Sequence, residues 1–446
     1  MKELEYPFDS SFLLKKRRKL KKDLLADGSQ RMEKRIAVLG GSTTNDIISM
    51  LELFLLNCGI QPAFYQSEYA QYWQDAMFDN PELESFQPDL IFIHTTSRNI
   101  TEAPLPLSAS EQEVRDALER QFSHFSQMWE RLHEVYHCPI IQNNFELPST
   151  RLMGNRDAWD CHGMVWFIQE LNRKFGQYAA SHSDFYLHDL HYLAASYGLD
   201  AWHDDSYWYL YKYAMTLDAV PEFAYSLTRI IRSIYGKNKK VLALDLDNTL
   251  WGGVIGDDGQ EGIAIGQETA EAEAYTEVQE YCKAQKQLGV LLTVCSKNEA
   301  ENAKLGLSHP DSVLHEEDFV TVCANWEPKD QNLLHTAETL SRCRKALSLW
   351  MTTRQNGILS PHRSPALPFR HLTAPQTASV SWIMPAILKR RLFRRRMPTA
   401  ARCTVPTQSV RRCSRLTPTT PTTCWGWICT LRSGTSTRWH FPVSSS

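Results

Sequence analysis

The chain has 446 residues, 43% hydrophobic and 22% charged, enough for two or three soluble domains of about 150 residues each. No run of about 18 apolar residues is present, which excludes a spanning helix, and the N-terminus lacks a charged-then-apolar secretory pattern, so a cytoplasmic protein with no membrane partner is expected. The eleven cysteines have no paired metal spacing and read as reduced and structural.

The formal net charge of −3 hides a split: residues 341–446 hold 18 of the 48 basic residues and none of the 51 acidic ones. Residues 1–340 therefore carry 30 basic and 51 acidic residues, a net of −21. A stretch of that length without an acid arises by chance on the order of once in a million at ordinary composition. A basic nucleic-acid arm is disfavoured, because Trp, Cys and Pro are scattered through the stretch without periodicity.

In chain order, residues 1–35 form a helical lead-in. The charge run Lys15–Lys19 with Lys21-Lys22 flanks Leu13, Leu14, Leu20, Leu24 and Leu25, a solvated helix with one apolar stripe or a surface for nucleic acid or membrane. From 36, short apolar runs alternate with helical periodicity: strands at 36–39, 90–93, 139–141 and 185–187, and helices at 45–57 and about 110–136. Residues 200–238 are helical and aromatic-rich. A second alternation follows, with strands at 240–244, 290–294 and 319–322 and helices at about 267–288 and 299–306. Strands separated by helices imply right-handed crossovers and parallel sheets.

Asp245-Leu246-Asp247-Asn248-Thr249 directly follows an apolar strand, where open α/β sheets place ligands. Asp245 there can attack phosphorus and form an aspartyl-phosphate. Asp247 can protonate the leaving oxygen and then activate water. Two acids so close call for a cation, and Mg²⁺ is the natural choice, held by Asp245 and Asp247; the alternative is a surface turn. Ser296, after the next strand, can hydrogen-bond a phosphoryl oxygen, and Lys329, after the third, can balance the charge rather than stand as a surface lysine. Gly40-Gly41-Ser42-Thr43-Thr44, after the first strand, offers Ser42 as a nucleophile or anion site, or only a capped turn.

The run Asp245–Gly259, with Val294–Asn298 and Ala324–Lys329, closely resembles the haloacid-dehalogenase (HAD) superfamily and its FkbH-like subgroup, subclass IIIC. The resemblance implies two Rossmann-like three-layer α/β/α domains: an SGNH-hydrolase-like domain at 36–238 and a HAD-like phosphatase domain at 239–340. It implies Asp245 as nucleophile and Mg²⁺ ligand, Asp247 as general acid/base, Ser296 as phosphate binder and Lys329 as charge stabiliser. Subgroup members load a glyceryl unit from a phosphorylated three-carbon donor onto an acyl carrier protein, in polyketide or surface-polysaccharide pathways. Cys295 could carry an acyl thioester or be a small buried thiol.

In the SGNH-like domain the resemblance offers Asn99 for an oxyanion hole, and Asp200-Ala201-Trp202-His203 as the acid-x-x-His element, with His203 a base oriented by Asp200. A polar loop residue and a solvated pair are the plain alternatives. The Gly-Asp-Ser form of the nucleophile block is absent, Gly41 standing in the acid's place, which disfavours ordinary esterase activity centred on Ser42 and gives a carrier-protein or acyl-binding role at least equal weight. A catalytically impaired scaffold is a further reading.

The fourth HAD element, a Val-Asp-Asp-Asn-Pro run holding Mg²⁺, is missing, since no acid follows Glu338. Back-translating Trp350–Gly357 and reading one base earlier permits Val-Asp-Asp-Asn-Pro-Ala-Glu-Arg. The same displacement turns Trp425–Ile428 into Leu-Gly-x-Asp. A frameshift near 340–343 is thereby expected, leaving 341–446 a disordered or misfolded basic tail, the last sheet strands lost and activity impaired.

Overall fold

The computed structural model describes residues 1–238 and 240–340 and the backbone of 347–350. The expectation of a disordered tail over the rest of 341–446 lies outside the described residues.

The first sheet has five parallel strands: β1 (Met32–Gly40), β2 (Ile60–Gln66), β3 (Leu90–His94), β4 (Ile140–Asn143) and β5 (Phe185–His188), in the order β2-β1-β3-β4-β5. Alternation along β1 sorts the core onto two faces. Ile36 and Val38 join one cluster with Leu51, Phe54, Phe223 and Leu227, from helices Asn45–Asn57 and Val220–Ile234. Ala37 and Leu39 join the other with Phe125, Trp129 and Phe175, from helices Glu111–Tyr136 and Met164–Ser181. Both faces are covered, as parallel sheets require. The lead-in is the helix Ser10–Leu25, capped by the Asp9 carboxylate, with Leu13, Leu20 and Leu24 buried on the first face.

Strand β2 is absent from the periodicity reading. Pro62 interrupts it and reads as a breaker, but β2 is an edge strand, where a missing N–H is tolerated.

The second sheet has the order β8-β7-β6-β9, all parallel, from β6 (Val241–Leu244), β7 (Leu291–Ser296), β8 (Thr321–Ala324) and β9 (Leu347–Trp350). One face packs on Trp251, Ile255, Val278 and Leu307, the other on Leu333 and Ala337. Strand β8 begins two residues later than the apolar run suggests, because Phe319 closes a 3-10 turn and Val320 is 50% exposed. The sequence reading ends this domain at 340 and expects its last strands lost. The sheet instead takes a fourth strand from beyond 340, with Trp350 paired to Leu244.

Among the described residues no helix is long and apolar enough to cross a membrane.

Candidate active site

Both sheets have a switch point, where successive connections run to opposite sides and the strand ends leave a crevice. In the second sheet it lies between β6 and β9, and Asp245 is the residue that leaves β6 there. One oxygen of its carboxylate, Oδ1, accepts from Ser296 Oγ at 2.9 Å and from the Leu246 amide at 3.0 Å. The other, Oδ2, accepts from Lys329 Nζ at 2.7 Å. Both side chains of that ion pair are largely shielded, at 13% and 15% exposure, so their attraction is screened less than at a surface. Ser296 ends β7, and Lys329 opens the helix Lys329–Thr339 behind β8. The carboxylate at the end of β6 thus receives one group from the end of β7 and one from the helix that follows β8.

Asp247 is held separately. Trp251 Nε1 at 3.0 Å and the Ile255 amide at 3.2 Å donate to Oδ1, and Asn298 Nδ2 at 3.1 Å to Oδ2. The turn that brings Trp251 back relies on Asn248 at φ +55° and Gly253 at φ +96°, left-handed backbone suited to Asn and Gly. The Trp251 ring is fully buried against Gly306, where a Cβ would stand 2.5 Å from it. Sequence reasoning assigned no role to Trp251 or Asn298, although both lie in the quoted motifs, because only the fold turns them onto Asp247.

The carboxylates of Asp245 and Asp247 offer hard oxygen donors beside a cationic lysine. That set suits Mg²⁺, which takes one or two protein carboxylates and completes its shell with water and phosphate oxygens.

Cys295 is corrected from a thioester candidate to a core thiol. It is fully buried among Val241, Ala243, Leu333 and Ala337. Burial, outweighing the nearby Lys329 ammonium, pushes the thiol up to about 12, and the thiolate needed for acyl transfer is disfavoured.

In the first sheet the switch point lies between β1 and β3. The structure does bring Asn99 beside the Gly41–Ser42 turn, but its amide is used on backbone: Nδ2 donates to Gly41 O at 3.2 Å, and Oδ1 accepts from the Thr96 amide at 2.9 Å. A Cβ at residue 41 would sit 2.5 Å from Asn99 Oδ1, so an acid in the position a Gly-Asp-Ser block gives it would have to displace the Asn99 side chain. Ser42 is buried, with no partner for its Oγ among the described residues. His203 Nε2 donates to Leu147 O at 2.9 Å, and Asp200 is an exposed residue in the first turn of Leu199–Trp202. The Ser42–His203–Asp200 relay is therefore corrected: no hydrogen bonds link the three. Nearby Glu146, missed in the sequence, is buried, and burial pushes its carboxyl up to about 7 despite donations from the Ser97 amide at 3.1 Å and hydroxyl at 2.9 Å.

Asp160, Cys161 and His162 also cluster. Both imidazole nitrogens of His162 are engaged, with Asp160 at 2.8 Å and Ala109 O at 2.9 Å, which makes the group an ion pair rather than a metal site.

No curated protein matches the chain. Residues 35–232 match the family described as FkbH, N-terminal domain. Among solved structures, the chain is similar to the N-terminal part of the protein BF1531 from Bacteroides fragilis, which contains a phosphatase domain and is complexed with Mg. The two are 26% identical with a TM-score of 0.67, over 75% of this chain and 87% of that one. A second match, BT4096, a gut microbial diltiazem-metabolizing enzyme, has 11% identity and a TM-score of 0.30 over 49% of this chain and 52% of that one. Residues 35–232 thus match the FkbH N-terminal domain, and over three quarters of its length the chain shares its fold with a structure that contains a phosphatase domain.

Proposed function

We propose that the second unit is a HAD-type phosphatase acting on phosphomonoesters through Asp245. The observation that carries this is the Asp245 carboxylate held between Ser296 Oγ and Lys329 Nζ, an anion placed to attack with donors ready for the phosphoryl oxygens. Asp245 attacks phosphorus, the P–O bond to the leaving group breaks, and Asp247 donates its proton to the departing oxygen. Water, deprotonated by Asp247, then attacks the aspartyl-phosphate and releases inorganic phosphate. Ser296 and Lys329 stabilise the added charge in both steps. Mg²⁺, when bound by Asp245 and Asp247, supplies charge neutralisation.

By its FkbH likeness we assign the chain a phosphorylated three-carbon acyl donor and an acyl carrier protein as acceptor, in polyketide or surface-polysaccharide synthesis. Asp245→Asn tests the core of the reading: Mg²⁺-dependent phosphate release from a small phosphomonoester should vanish, and a variant with the wild-type rate would overturn it.

We also propose that the chain is out of frame beyond about residue 340. The β6–β9 register supports this: Trp350 pairs with Leu244, so β9 ends beside the residue preceding Asp245. The next residues in sequence are Met351-Thr352, whose shifted reading is Asp-Asp. An encoding DNA with one uninterrupted frame would remove this proposal.

A further inference from the structure

We propose that the first unit docks an acidic protein partner on a surface made by the lead-in helix and the aromatic helix Asp205–Tyr211, beside the Ser42–Thr43 turn. The inference rests on the carrier-protein reading above and adds where such a partner binds.

The lead-in helix carries seven Lys and Arg and one Asp. Two of the cations are used internally: Arg17 pairs with Asp46 and Lys21 with Glu52, both on helix Asn45–Asn57. Lys15, Arg18, Lys19 and Lys22 stand at i, i+3, i+4 and i+7, on one helical face opposite the buried Leu13, Leu20 and Leu24. All four are exposed, and none makes an ion pair or hydrogen bond through its side chain among the described residues. Holding these like charges on one face opposes helix stability, and the fold offers them no internal counter-charge.

The aromatic helix has no buried residue, and Tyr209, Leu210 and Tyr211 are 68%, 71% and 57% exposed. It is nonetheless fixed in place. The Thr43 amide donates to Lys212 O at 3.0 Å and Thr43 Oγ1 to Tyr211 O at 2.7 Å. Arg98 lies over the Trp208 ring at 4.8 Å, where it is paired with Asp205, and Lys212 lies over the same ring at 5.5 Å, so Lys212 adds a positive charge to the apolar patch while Arg98 is balanced locally. A rigidly anchored helix that shows its large side chains to solvent has the composition of an interface core, with aromatics at the centre and charge around it.

Asp46 joins the two elements. It accepts from Arg17 of the lead-in helix and, at 2.7 Å, from the hydroxyl of Tyr213, whose ring packs on Tyr207 and Tyr211 at 6.2 and 6.0 Å.

Charge complementarity selects the occupant. Residues 1–340 carry a net charge of −21, the 18 basic residues of 341–446 standing apart in sequence, so on this part of the chain a long polyanion or an anionic bilayer meets repulsion beyond the basic strip. A compact protein with a small acidic face covers the strip and meets little of the remaining charge, while its apolar residues cover Tyr209–Tyr211.

The experiment measures binding of a purified, phosphopantetheinylated acyl carrier protein to the full chain by titration calorimetry, at low and high salt. Two variants are compared: Lys15→Glu, Arg18→Glu, Lys19→Glu and Lys22→Glu together, and Tyr209→Ser, Leu210→Ser and Tyr211→Ser together. All seven positions are exposed, and circular dichroism checks folding. Each variant should raise Kd at least about tenfold, and the charge variant should also lose the salt dependence. Phosphate release from a small phosphomonoester should be unchanged in both. Equal binding by wild type and variants, or no binding by the wild type, overturns the proposal. So does helix-dependent binding of anionic vesicles or a short duplex DNA in place of the carrier. Failure of the phosphatase reading is a separate result: no Mg²⁺-dependent phosphate release from the wild type, whatever the carrier binds.

Discussion

The chain presents the same architectural opportunity twice, a crevice at the switch point of a parallel sheet, and treats it differently. At the β6 edge, Ser296 from the end of β7 and Lys329 from the helix after β8 reach one carboxylate, and the Ser296, Lys329 and Leu246 donors are all turned onto it. At the β1 edge the polar groups are turned inward: Asn99 braces the Gly41 carbonyl, His203 is held by Leu147, and Ser42 is buried without a base. Equivalent positions in a fold therefore do not imply equivalent chemistry. What separates them is whether the neighbouring strands deliver side chains to the crevice or commit them to backbone.

The sharpest way to break this contrast is at Asp245. Asp245→Asn keeps the shape and the Ser296 contact but removes the attacking anion, so kcat for phosphate release should fall by about three orders of magnitude or more. Next is Lys329→Met, which leaves Asp245 ionised without its ammonium; a loss of about 10²–10³ in kcat/KM is expected. A loss confined to Lys329, with Asp245→Asn active, would reduce the site to an electrostatic binding pocket.

Much of the second crevice was legible beforehand because its information is local. An Asp-x-Asp after an apolar strand, then a Ser and a Lys after the next two strands, needs only βαβ order to converge. The contacts to Asp247 were not legible in that way: Asn298 lies in the loop two residues past the end of β7, and Trp251 returns only because Asn248 and Gly253 adopt positive φ. His203 fails for the complementary reason. The acid-x-x-His spacing places the ring near a helix end but says nothing of the Leu147 carbonyl, 56 residues away, that holds Nε2. In the fold, β2 was hidden by Pro62, since only the finished sheet reveals that it is an edge.

Glu146 sharpens the comparison through stability. Its folded carboxyl stands near 7 against an ordinary 4.5, raised by burial. The native state therefore holds this proton more tightly than the unfolded chain. The group's contribution is fully present below about pH 4.5 and is lost as pH rises to about 7, a change of about 3 kcal/mol. Glu146→Gln retains an acceptor for Ser97 and removes the titration. Denaturant unfolding of the variant should show a flatter pH profile across that window and greater stability than wild type at pH 8. An unchanged profile would place the carboxyl in contact with water.

Trp251→Phe probes the crevice at the β6 edge more gently. It keeps most of the ring packing against Gly306 but deletes the indole donor to Asp247, leaving the Ile255 amide and Asn298. If Asp247 acts as the proposed acid/base, its misorientation should lower kcat about tenfold with KM little changed, since that role moves a proton and does not grip the substrate. Loss of KM instead would reassign Asp247 to binding.

The smallest effect belongs to Ser42→Ala. A nucleophilic serine needs a base within hydrogen-bond reach, and the imidazole proposed for that part donates its Nε2 proton to Leu147 O. The hydroxyl is also shielded, with the residue 2% exposed. Replacing it should leave phosphate release unchanged and should not lower hydrolysis of short acyl esters, which is expected to be at background in the wild type too. Its removal should cost little stability, since the Oγ satisfies no partner among the described residues. Ester hydrolysis that is lost in this variant but kept in Asp245→Asn would show that the β1 crevice is catalytic in its own right. The contrast between the edges would then be one of two chemistries rather than of a working site and a braced one.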